Sequence, residues 1–122
     1  MSRLACLLFI AVLWPAACTT SSPAQTVEAY LQAIVDDQPE KLADLTCEDW
    51  EANALTTASS FRGTGAQLED MTCVATGADG DYQIVTCQGR IVVLYQGEER
   101  TFELGSYRLL QQDQQWRVCG EA

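Results

Sequence analysis

Beyond residue 20, apolar positions first recur every three or four residues, and after Gly65 they recur every two. Val27, Tyr30, Leu31, Ile34 and Val35 form the first stripe. It is an amphipathic helical face about 100° wide that needs a surface to lie on. Ser22-Pro23-Ala24-Gln25 opens that helix with an N-cap, a proline at the first helical position and a glutamine placed for a capping box. Asp36-Asp37-Gln38 ends it. A second helix starts at Pro39, with Glu40 in its first turn and Leu42 and Leu45 inward. A third segment runs from Cys47 to about Ser59, with Thr46 placed to cap it and Asp49 three residues on. Trp50 and Leu55 are its expected buried positions. Phe61 then precedes the break Gly63-Thr64-Gly65.

The period-two half reads as four strands: Gln67 to Thr76, Tyr82 to Tyr95, Arg100 to Leu110 and Gln115 to Cys119. The links between them are short, so the strands form an antiparallel meander. On the long strand Tyr82–Tyr95, one face carries Val85, Cys87, Gly89, Ile91, Val93 and Tyr95. The other has a polar middle of Thr86, Gln88 and Arg90, with Tyr82, Ile84, Val92 and Leu94 nearer its ends. Phe102 and Leu104 share a face, whereas Tyr107 and Leu109 stay inward only if a bulge at Gly105-Ser106 shifts the register by one. The expected fold class is α+β, with N-terminal helices packed on a curved four-stranded antiparallel sheet.

The first residues have a different pattern. Arg3 precedes an eleven-residue apolar run, Leu4 to Trp14, and the small residues Ala16 and Ala17 follow Pro15. This is the layout of an export signal, and the run is too short to span a bilayer. Pro15-Ala16-Ala17-Cys18, followed by Thr19-Thr20-Ser21-Ser22, resembles a bacterial lipoprotein signal. The resemblance implies cleavage before Cys18 and lipidation of that cysteine. The chain then divides into a signal peptide at 1–17, a polar linker at 18–23 and a domain at 24–122, held at a membrane surface outside the cytoplasm. Plain secretion, with cleavage after Ala24 in the small-x-small sequence Ser22-Pro23-Ala24, is the alternative. Cys6 leaves with the leader in either case.

Charge narrows the partners. All seventeen acidic residues follow Arg3, against six remaining basic ones. Such an acidic surface excludes the basic footprint that nucleic acid requires, and it opposes docking on anionic lipid headgroups. In an exported chain the four cysteines after Cys18 predict two disulfides. Cys73 and Cys87 are symmetric about Gly80 in the turn Ala78-Asp79-Gly80-Asp81, so they fall opposite each other on neighbouring strands. Cys119 lies two strand spacings from Cys87, roughly 9.5 Å, beyond direct bridging. That leaves Cys47–Cys119 as the second pair. With no histidine and no CxxC sequence, zinc binding and dithiol redox catalysis are disfavoured.

The segment TVEAYLQAIVDDQPEKLADLTCEDW, together with the long central strand, GSYRLLQQ and the closing WRVCGE, resembles the NTF2-like superfamily over residues 24 to 121. It is similar in particular to small bacterial NTF2-like lipoproteins with the same cysteine layout. The resemblance implies a cystatin-like cone in which the helices lie on the concave face of the sheet and can leave a pocket. Several relatives in this fold dimerise through the open sheet face. Enzymatic relatives carry an Asp, His or Tyr constellation in the pocket, and none of their catalytic motifs transfers residue by residue.

Tyr30, Trp50, Phe61 and Tyr107 are candidates for pocket lining or core, and Thr86, Gln88, Arg90 and Val92 for a sheet-face interface. Glu48, Asp49 and Glu51 begin a helix, where acids favour the dipole in any case. Asp79-Gly80-Asp81 lacks the remaining ligands of a calcium loop. Ser59, Ser60 and Ser106 have no histidine partner. Arg90 and Arg108 either face each other on the outer sheet surface or point at an anion.

The expected function is an exported, lipid-anchored, non-catalytic domain without cofactor or metal, binding a small apolar ligand or an envelope protein partner. The alternatives are a small-molecule enzyme using a carboxylate or tyrosine in the helix–sheet pocket, and a homodimer joined through the open sheet face. Intact-mass measurement of the exported protein should find a mature chain that starts at lipidated Cys18. A chain beginning at Gln25 without lipid would overturn that assignment.

Overall fold

The computed structural model describes residues 21–122, so the leader and Cys18 lie outside the described residues. Three helices come first: α1 Pro23–Val35, α2 Pro39–Leu45 and α3 Glu48–Ser60. The strands follow as β1 Gln67–Asp79, β2 Tyr82–Tyr95, β3 Glu98–Glu103, β4 Ser106–Gln112 and β5 Gln115–Glu121. The capping box of α1 is present in full. The Gln25 backbone N–H donates to Ser22 Oγ, and the Ser22 N–H donates to Gln25 Oε1. Ser22 and Pro23 are therefore already part of the folded unit.

All strand pairings are antiparallel, in the order β1-β2-β4-β5, with β3 beside the second half of β2. Each hairpin turns on two residues. Gln96–Gly97 and Asp113–Gln114 carry positive φ at both positions, which matches the twist of the flanking strands. The sheet has five strands where the sequence pattern predicts four, because the expected third strand is broken at Leu104–Gly105. Glu103 pairs with Arg90 but Ser106 pairs with Thr86, a register shift of one residue. That shift turns Tyr107 and Leu109 inward, and both are buried.

The disulfides join Cys73 to Cys87 and Cys47 to Cys119. Cys73 and Cys87 are register partners on β1 and β2, with Cα atoms 4.1 Å apart. Cys47 lies against the edge of β5, where its N–H donates to the Val118 carbonyl at 2.9 Å. The chain-entropy model gives about 3 kcal/mol for the shorter loop and about 4 kcal/mol for the longer.

The core lies between the helices and one face of the sheet. Val27, Leu31 and Ile34 of α1 and Leu42 of α2 meet Val85, Leu109 and Val118. Helix α3 differs from its sequence expectation. Its fully buried positions are Ala54 and Ala58, while Trp50 and Leu55 are half-buried at the margin. Small side chains let this helix approach closely, and the larger ones fill the edges. Thr46 does not cap α3. Its hydroxyl donates back to the Leu42 carbonyl at 2.7 Å, and Cys47 occupies the N-cap position.

One glycine is required by close backbone approach. Asp70 and Met71 of β1 together oppose Gly89 of β2 as a bulge, and Asp70 has φ 53°. Gly89 has φ 107°, and a Cβ there would stand 2.6 Å from the carbonyl oxygens of both Glu69 and Asp70. Neither obstacle is a flexible side chain. Gly89→Ala should therefore cost roughly 2–4 kcal/mol in urea denaturation. Gly77→Ala, in the same sheet with open space around it, should cost under about 1 kcal/mol. Equal losses for the two would show that the close approach is not limiting.

Candidate functional site

The inner face of the sheet divides into a filled half and an open half. In the filled half, Tyr30 of α1, Trp50 of α3 and Tyr107 of β4 come together. Trp50 Nε1 donates to the Tyr30 hydroxyl at 3.1 Å, and the Tyr30 and Tyr107 rings meet edge to face with centroids 5.8 Å apart. Burial leaves Tyr30 only 4% and Tyr107 only 8% exposed. Loss of hydration pushes the Tyr30 phenol up to about 12, and the charge of Glu121 on β5 adds to this. Tyr107 is raised for the same reasons, burial first and Glu121 second. Both phenols are therefore neutral at physiological pH, and packing surrounds them. These three candidates serve as core.

Phe61 belongs to the open half. It is the C-cap of α3 and starts the turn that ends at Gly65, and the Leu94 N–H donates to the Thr64 carbonyl at 2.9 Å, tying that turn to β2. Opposite it, Phe102 of β3 meets the Phe61 ring edge to face at 5.8 Å. Val93 forms the floor between them. Together they bound an open pocket of about 230 Å³ whose rim carries Tyr95 and Arg100. The Arg100 guanidinium lies 5.2 Å over the Tyr95 ring. Its side chain makes no ion pair or hydrogen bond to any described residue. Ser60 and Thr64 also line it, with their hydroxyls donating to the Thr57 and Phe61 carbonyls.

Sequence reasoning found Phe61 but missed Val93, Tyr95, Arg100 and Phe102 as pocket residues. The signal was present: Tyr95 and Phe102 lie on the inward-facing alternation beyond the reach of the α1 stripe.

The outer face holds the other candidates, and most are occupied with one another. The Thr86 hydroxyl lies 2.9 Å from the hydroxyls of both Thr76 and Ser106, forming a ladder across three strands. Arg90 pairs with Glu69 at 3.1 Å and Asp70 at 3.2 Å across the bulge. Arg108 lies over the Tyr82 ring at 5.5 Å. Gln88 is exposed, and Val92 is half-buried. Glu48 and Asp49 edge a second depression of about 280 Å³, with Tyr82 and Gln112, beside the Cys47–Cys119 disulfide. No basic side chain lines it. Asp79 and Asp81 flank a hairpin turn, and no group of three or more metal-ligating side chains converges among the described residues.

No family model and no curated protein sequence matches the chain significantly. Solved structures do match its shape. A candidate ketosteroid isomerase from Shewanella frigidimarina NCIMB 400 aligns with TM-score 0.57 and 14% identity, over 80% of this chain and 91% of that one. A variant of Rv3472, a protein of unknown function from Mycobacterium tuberculosis, aligns with TM-score 0.53 and 18% identity. That match covers 77% of this chain and 63% of the other. The chain therefore has the NTF2-like α+β fold.

The buried Tyr30 phenol links stability to pH. Its folded value lies above the unfolded one near 10, so above pH ~10 the unfolded chain loses this proton first. The neutral phenol's contribution is complete below about pH 10 and is lost as pH rises towards 12, amounting to about 2–3 kcal/mol. Urea denaturation across this range should show a steeper alkaline loss for the wild type than for Tyr30→Phe. The variant should also lose about 1 kcal/mol at neutral pH, because Trp50 Nε1 is left without its acceptor. Parallel alkaline slopes would overturn the assignment.

Proposed function

We propose that this chain is an exported, lipid-anchored, non-catalytic domain that holds a small apolar ligand in the pocket between Phe61, Val93 and Phe102. The observation that carries this reading is the pocket itself, an aromatic-walled cleft on the inner face that the helices leave uncovered. Ligand sites are typically concave and mainly apolar with few polar groups, and about 230 Å³ lies just below their usual range of roughly 300–1,000 Å³, which limits the occupant to a small molecule. Phe102 is 49% exposed and Tyr95 is 50% exposed. These are large aromatic surfaces to leave in water, and a ligand would cover both.

Export is supported by the two disulfides, which persist in oxidising compartments. No helix among the described residues is long and apolar enough to cross a membrane, so attachment in this reading rests on the lipid at Cys18. The position of the pocket suits such an anchor. Asp37, just beyond the C-terminus of α1, pairs at 2.8 Å with Arg62, which follows Phe61. The pocket thus lies at the C-terminal end of α1, while Cys18 precedes its N-terminal end. Thirteen helical residues separate these ends by about 20 Å. A lipid on Cys18 would hold the domain by the end opposite the pocket and leave the mouth open to the aqueous side.

The enzyme reading has less support. Tyr30 and Tyr107, the tyrosines nearest Glu121, are buried against each other and against Trp50. An interface on the outer sheet face is also less supported, because Thr86 and Arg90 already have partners within the sheet.

The test is a titration of the folded domain with octan-1-ol, followed by amide resonances. Saturable shifts should centre on Phe61, Val93 and Phe102, and Phe102→Ala should weaken binding about fivefold, equivalent to roughly 1 kcal/mol of lost apolar contact. Non-saturating or dispersed shifts would overturn the proposal.

A further inference from the structure

We infer that the ligand of this pocket is a small apolar carboxylate, with its acid group on Arg100 and its hydrocarbon body between Phe61, Val93 and Phe102. The inference rests on the pocket reading above and names the chemistry of its occupant. Its basis is the disposition of cationic side chains. Arg62 is paired with Asp37, and Arg90 with Glu69 and Asp70. Arg117 donates to the Asp44 carbonyl at 3.0 Å, and Arg108 covers the Tyr82 ring on the outer face. Lys41 is exposed on α2. Arg100, like Arg108, has no acceptor among the described residues, but it alone of these cations lines the apolar cleft, projecting from the inner face of β3 opposite Val93.

In a chain of net charge −10 with seventeen acidic side chains, Arg100 places a cation without an acid partner at an apolar mouth. Glu98 and Glu99 are close in sequence yet form no ion pair with it. The Tyr95 ring lies 5.2 Å from the Arg100 guanidinium carbon, and a guanidinium can offer two parallel N–H donors to a planar carboxylate.

Size sets the rest. At about 30 Å³ per water-sized group, a pocket of about 230 Å³ has room for roughly eight such groups. That fits a medium-chain or single-ring acid and is too small for a steroid or a two-chain lipid. Ser60 and Thr64 also line the pocket, but their hydroxyls already donate to the Thr57 and Phe61 carbonyls, which leaves Arg100 as the lining side chain with unused donors.

The experiment compares octanoate, octan-1-ol and octylammonium on the same folded domain by calorimetry and amide shifts. These probes share a chain and differ in head group. Octanoate should bind about tenfold more tightly than octan-1-ol, the factor for one charge-assisted hydrogen-bonded contact, and its advantage should shrink with added salt. Octylammonium should bind weakest. Arg100→Gln should bring octanoate down to the level of octan-1-ol while leaving octan-1-ol unchanged, and Arg100→Lys should restore part of the difference. Arg100 is exposed on an edge strand, and unchanged amide spectra away from the pocket would confirm that both variants fold. Equal binding of octanoate and octan-1-ol, or tighter binding of octylammonium, would overturn the carboxylate assignment but leave the pocket. Failure of all three probes would overturn the pocket reading as well.

Discussion

At Gly89 the backbone of β1 comes so near β2 that any side chain there would collide with the carbonyls of Glu69 and Asp70. The close approach does more than exclude other residues. On the opposite edge of β2, at the same level, the Leu104 N–H donates to the Gly89 carbonyl and the Cys87 N–H donates to the Gly105 carbonyl. Bulge and strand break therefore lie across from each other, one on each side of a single glycine. Before it, β2 pairs with β4; after it, β2 pairs with β3. Because a bulge bends its strand and increases the local twist, this line is where the sheet changes direction.

That change of direction divides the inner surface. The half bearing Val85, Cys87, Tyr107 and Leu109 is covered by α1 and α3 and forms the core. The half bearing Val93, Tyr95, Arg100 and Phe102 meets only the end of α3 and the turn after it. The Cys73–Cys87 disulfide lies on the core side of the bend and fixes the β1–β2 register there. Cys47–Cys119 performs the equivalent task at the far edge, holding the start of α3 to β5. Between them the covalent links tie one half together and leave the β2–β3 hairpin, without a disulfide, to ladder hydrogen bonds, the Leu94–Thr64 bond and the Phe61–Phe102 contact.

Much of this was legible in the chain, and the limits have physical causes. The α1 capping box, the hairpin at Gly80 and the Cys73–Cys87 register all follow from local spacing. The inward turn of Tyr107 and Leu109 was legible as a conditional, because parity alone showed that a bulge was needed. Trp50 and Leu55 misled because size suggests burial, whereas the depth of α3 is set by how closely its backbone approaches, and alanines allow that. The four-strand count failed because Arg100 to Leu110 is one continuous apolar alternation apart from Gly105, and a glycine by itself does not distinguish a bulge from a break. The pocket was least legible. It is made by the absence of a covering helix, and no residue pattern encodes an uncovered surface directly.

The two ends of the inner face use similar residues to opposite effect. Trp50 donates to the Tyr30 hydroxyl and the Tyr30 ring packs edge to face on Tyr107, and both tyrosine rings are shielded from water. A buried phenol held neutral by desolvation could serve a proton-transfer enzyme, but such a role requires space for a substrate beside the hydroxyl, and here the Trp50 indole takes that position. Phe61, Phe102 and Tyr95 have no comparable closure, and the cation among them has no acid partner among the described residues. Exposed aromatics around an unpaired charge lose little on binding, because the ligand replaces water rather than an existing protein contact. The exposed aromatics and a cation without an acid partner therefore lie together on the part of the sheet beyond the Gly89 bend, away from the core.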